Sequence, residues 1–173
     1  MVRVEHVIDT WKGIRQDTIA AVEEFPAAEL DFSCAPGVAT FRETALHILH
    51  AGDGLTGLLL AGEENFASPE RRARMKEHFR AVAPDAGPSE IAAGMRASIE
   101  ERSAALAAQP PEFWSHIITR VDGRPVTRLE MLQFIKEHEL THRSQLFMAM
   151  RIKGLVPATT RRRKAMQAAQ GKP

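Results

Sequence analysis

Residues 127–154, TRLEMLQFIKEHELTHRSQLFMAMRIKG, decide the fold. Thr127 and Glu130 form a capping box: the Thr hydroxyl accepts from the Glu130 amide while the Glu130 carboxylate accepts from the Thr127 amide. After it, Met131, Ile135, His138, His142, Gln145, Ala149 and Ile152 recur at four- and three-residue steps, which aligns them in one helical stripe facing a bundle interior. Gly154 and Pro157 end this helix near Lys153.

Upstream segments repeat the pattern. Val7, Trp11, Ile14, Thr18, Ala21 and Phe25 share one helical face, so a first helix runs from near the N-terminus to about Glu24, where Pro26 stops it. Residues 31–39, DFSCAPGVA, read as a loop. Thr40 and Glu43 form another capping box, opening a helix over FRETALHILHAGDGLTGLLLAG, residues 41–62. Each of Gly52, Gly54 and Gly57 weakens that helix by roughly 1 kcal/mol relative to Ala, so packing must compensate. Their density marks a tight internal contact or a dimer seam. Residues 63–88 are charged, with a short helix predicted over Pro69 to Val82. Ser89 is the expected cap of a third long helix that Pro110 and Pro111 close, and EFWSHIITRVDGRPV reads as extended or irregular around an Asp-Gly turn. Four long helices without convincing strands or repeats predict an all-α, four-helix bundle with one long, partly helical crossover.

Two histidines interrupt the core stripe of the last helix. Residues four apart stack with Cβ atoms about 5–6 Å apart, so His138 and His142 form a geometric half-site for one ion bound by two imidazole nitrogens at roughly 2 Å. Burying two unpartnered imidazoles is costly, and a metal would satisfy both; ordinary histidines bonded to carbonyls or carboxylates are the alternative. His47, on a face with Thr44, Ala51 and Leu58, could complete a three-histidine site. Three protein ligands leave a coordination position open, the arrangement of catalytic rather than structural zinc. His50 competes as a fourth ligand, a proton relay, or a polar residue at the edge. Gln145 could address a metal-bound oxygen, fix a neighbouring side chain, or bond between helices, and Glu139 and Arg143 could pair at the rim.

The 173 residues suit one domain, expected over 1–157, followed by a basic tail over 158–173 that contains Arg161, Arg162, Arg163 and Lys164. A net charge of +1 gives no overall field for nucleic acid or anionic membranes, and such basic runs are usually solvated. The N-terminal stretch lacks the apolar run of a signal or spanning helix, so a cytoplasmic location is expected. Cys34 is the sole cysteine, which excludes an intramolecular disulfide and multi-cysteine metal sites; a metal must come through histidines and carboxylates. Trp11, the methionines and Phe147 read as core filling.

The segments FRETALHILHAGD and KEHELTHRSQLFMAMRIKG resemble the signature helices of the DinB/YfiT-like metalloenzymes, with a lone His on helix two and His-x-x-x-His-Arg-x-Gln on the last long helix. The resemblance implies an antiparallel DinB/YfiT-type bundle, often a homodimer, holding zinc, nickel or iron on His47, His138 and His142. Some relatives use such a metal to activate a low-molecular-weight thiol for transfer or isomerisation. The sulfoxide-synthase subgroup carries His-x-x-x-His-x-Glu, whereas Ser144 stands here, so that reaction is not expected. The implied function is a metal-dependent enzyme, a thiol-dependent S-transferase or isomerase or else a hydrolase, acting on a small electrophilic substrate. The alternative is a non-catalytic, metal-stabilised dimer of stress response.

Overall fold

The computed structural model describes residues 2–171. Helix α1 spans Val4–Glu24, α2 Phe41–Leu60, α4 Pro88–Ala107 and α6 Arg128–Ile152; these four build the bundle. Each of α1 and α2 packs on both α4 and α6, so the chain's first two helices occupy opposite corners. A short helix α3, Arg71–Lys76, lies on α2 within the crossover. Helix α5, Pro111–Ser115, leads into a two-stranded antiparallel hairpin, β1 Ile117–Thr119 and β2 Pro125–Thr127, with Ile118 opposite Val126. The hairpin turns at Gly123, whose φ of 83° favours glycine. Among the described residues, no helix is long and apolar enough to cross a membrane.

Both capping boxes form. Thr40 Oγ1 accepts from the Glu43 amide at 3.2 Å while Glu43 accepts from the Thr40 amide at 2.7 Å. Thr127 and Glu130 repeat those bonds at 3.2 and 2.7 Å. The third long helix starts one step before the expected Ser89 cap. Gly87 is its N-cap because Pro88, whose fixed φ suits the first helical position, occupies N1. Pro111, expected only to close a helix, opens α5 for the same reason. The segment expected as a solvated tail forms helix α7, Ala158–Ala169, tied to α1 by ion pairs from Arg161 to Glu24 and from Arg162 to Asp17. Lys172 and Pro173, at the end of that segment, lie outside the described residues.

The core divides into two apolar clusters. One gathers Phe25, Phe41, Leu49, Met95 and Met150; the other gathers Trp11, Leu58, Leu106, Met131 and Ile135. Buried polar groups, foremost Arg15, Thr18, Asp53, Ser98 and Glu139, fall between the two clusters along each helix. The glycines of α2 serve internal packing. A Cβ on Gly57 would stand 2.3 Å from His78 Cγ, and one on Gly52 would stand 2.8 Å from Arg15 Nη2. Met75 and Phe79 press closely on Gly54, so Gly54 and Gly57 are the seat of the crossover while Gly52 makes room for Arg15 of α1.

Candidate metal centre

Helix α6 carries His138 and His142 one turn apart, and α2 brings His47 across from them, 91 residues away in sequence from His138. The three Nε2 atoms converge. His138 Nε2 lies 3.3 Å from His47 Nε2 and 3.2 Å from His142 Nε2. One ligand atom from each of the three residues lies within 4.8 Å of the other two. Two nitrogens bound tetrahedrally at 2.0–2.1 Å sit about 3.3 Å apart, so the spacing fits a shared first-row ion. His47 is exposed and the other two are half-buried, leaving one side of the cluster open to solvent.

Gln145 Oε1 lies 2.8 Å from His142 Nδ1. A carbonyl oxygen only accepts, so this contact favours the tautomer with the ring proton on Nδ1, which leaves the Nε2 lone pair to face the other histidines. This contact is the one expected of a residue that fixes a neighbouring side chain. Burial, reinforced by the neighbouring His142 and His47, pushes the pKa of His138 down to about 4. His47 is lowered too, first by burial and then by His142 and His50. At neutral pH both rings therefore keep the lone pair that coordination requires.

His50 does not join the cluster. Its ring stacks on Phe79 at a centroid distance of 4.5 Å and an interplanar angle of 4°, facing the crossover. It lines a cleft of about 520 Å³ together with His47 and Leu46, which makes it an edge residue. Two smaller clefts also reach the histidines: one of about 290 Å³ beside His142 and Gln145, and one of about 280 Å³ beside His138, Phe134 and Arg71.

The residues expected to pair at the rim have different partners. Arg143 binds Asp17 at 3.1 Å, while Glu139 is buried beneath the site. Glu139 Oε1 accepts from Arg15 Nε at 2.8 Å and Thr18 Oγ1 at 3.0 Å; Oε2 accepts from Arg15 Nη2 at 2.8 Å and Trp11 Nε1 at 2.7 Å. Trp11 is thus a donor as well as core filling. Removing either charge would strand the other in the interior at a cost of about 3–5 kcal/mol. This lock between α1 and α6 sets the rotation of α6 at the position next to His138. Ile152 falls off the expected stripe and is 53% exposed, because a strict 3.5-residue spacing drifts by about 20° per heptad around a straight helix.

The sequence left three neighbours of the site unmarked. Arg71, Arg72 and Met75 come from the crossover, where no periodicity flags a face. Cys34, read as a loop residue, is exposed and stands apart from the cluster.

A comparison with curated proteins finds no match. Among solved structures, the fold is similar to a DinB-like protein, YjoA, from Bacillus subtilis at a TM-score of 0.66 and 19% identity, covering 86% of this chain and 92% of that one. YfiT from Bacillus subtilis, described as a probable metal-dependent hydrolase with an unusual four-helix bundle topology, matches at 0.64 and 19% identity, covering 88% of both chains. A mycothiol-dependent maleylpyruvate isomerase matches at 0.62 and 19% identity over 84% of this chain, which spans only 61% of that enzyme. At these identities the likeness establishes the fold. The family model of the DinB superfamily matches residues 5–146, and the chain belongs to that superfamily.

Proposed function

We propose that His47, His138 and His142 hold one divalent ion, zinc, nickel or iron, and that the protein is a metal-dependent enzyme acting on a small electrophile. The approach of His47 and His142 Nε2 to His138 Nε2, at 3.3 and 3.2 Å, with one ligand atom of each residue within 4.8 Å of the other two, carries this reading. Among the described residues, no fourth histidine, cysteine or carboxylate joins the group, so a coordination position faces solvent, as in catalytic rather than structural sites. A divalent ion there supplies Lewis acidity, lowering the pKa of a thiol or water it binds so that a nucleophile exists near neutral pH.

The chain's own residues supply the rest. Three neutral imidazoles leave the ion's charge uncompensated, which favours an anionic nucleophile such as a thiolate. Gln145 orients His142, and the Glu139–Arg15 lock holds α6 in register. Thiol-dependent transfer or isomerisation is the favoured chemistry and hydrolysis the second; the named activities of the isomerase and of YfiT support that pair.

The test is turnover by protein loaded separately with each metal, using a panel of low-molecular-weight thiols against an electrophilic acceptor alongside ester hydrolysis. Metal-dependent turnover that His138→Ala reduces at least about a hundredfold is expected. Equal rates for loaded and metal-free protein would contradict the proposal.

A further inference from the structure

The cleft of about 280 Å³ beside His47 and His138 is chemically lopsided. Its apolar walls include Met75 and Phe134, its edge carries Arg71 and Arg72, and no acidic side chain lines it. Neighbouring cations are neutralised: Arg74 pairs with Glu63, and Arg120 pairs with Asp122 at 2.6 Å. Arg71 Nη1 donates to the Phe66 carbonyl at 2.6 Å, which anchors the guanidinium and uses one of its five N–H donors. Among the described residues, neither Arg71 nor Arg72 has a carboxylate partner. Two guanidiniums without carboxylate partners, both lining an otherwise largely apolar cleft, favour a planar anion, which an arginine fork binds through paired N–H donors. The volume lies just below the usual range of about 300–1,000 Å³ for small-molecule sites, so the occupant is small.

We infer that Arg71 and Arg72 bind the carboxylate of the substrate whose reacting carbon lies at the three histidines, which makes the substrate class small carboxylates with an apolar middle. This rests on the reading of His47, His138 and His142 as a metal-centred active site.

The test titrates 3-phenylpropionate and its uncharged amide, 3-phenylpropanamide, into metal-free and zinc-loaded protein, following the amide resonances of residues 71–75 and 134. Zinc occupancy is measured in the same samples. The expected result is at least a tenfold preference for the acid in both forms, reduced to about equal binding in Arg71→Gln/Arg72→Gln. Arg72→Gln alone, at an exposed position, should lower the preference severalfold and serves if the double change unsettles the crossover. A preference seen only with zinc, one that survives removal of the arginines, or no binding of the acid overturns the assignment. Absent zinc with an intact, arginine-dependent preference would instead overturn the metal reading and leave the anion site standing.

Discussion

Gln145 shows how much one exposed side chain can set at this site. Its carbonyl oxygen, 2.8 Å from His142 Nδ1, favours a proton there and so leaves Nε2 free toward the other two imidazoles. Partners of this kind are typically worth 10–100-fold in metal affinity. Gln145→Leu should therefore weaken zinc binding by about one to two orders of magnitude in a chelator competition, with metal-free stability within about 0.5 kcal/mol of wild type, as for surface changes generally. Unchanged affinity would mean that His142 is held by its helix alone. The His138–His142 pair was legible in the sequence because helical spacing and a capped start place both on one face, whereas His47 is read beside them from its core-directed face and the family resemblance. The partner of Glu139 was not legible: its expected partner on the helix, Arg143, turns to Asp17, and Arg15 lies 124 residues away on another helix.

At the scale of elements, the contact between α2 and the crossover is the arrangement that exposes the site on one side and walls it on another. Small residues in α2 admit Met75, His78 and Phe79 against the helix backbone, and Arg80 closes the contact by donating its amide to buried Asp53 at 3.2 Å. Gly57→Ala sets two effects in opposition. Helix propensity alone would gain about 1 kcal/mol, whereas a methyl 2.3 Å from His78 Cγ forces repacking that costs about 1–3 kcal/mol. Net destabilisation in denaturant titration is expected, and a gain of about 1 kcal/mol would show that the crossover is not seated there. The four long helices and both capping boxes could be read from periodicity and cap residues. The crossover could not, since its shape depends on α2 rather than on any pattern of its own. Helix α7 escaped for a related reason: its composition reads as solvated, yet Arg161 and Arg162 find carboxylates on α1 that only the fold brings near.

For the whole molecule, the site sits at the level where two apolar clusters are separated by buried polar groups, and it joins two helices whose histidines are distant in sequence. An ion held by both helices would recognise only the folded chain and would add stability by mass action, about 2.7 kcal/mol at a free concentration one hundred times Kd. The most direct measurement is metal content per chain, with the thermal midpoint, for wild type and His47→Ala after purification without chelator and reloading with one equivalent of zinc. One ion per wild-type chain with a raised midpoint is predicted, and His47→Ala should lose most of both while its metal-free midpoint stays near that of wild type. Full occupancy and an unchanged midpoint rise in His47→Ala would show that the α2 imidazole holds no part of the ion, and the three-histidine centre would be wrong.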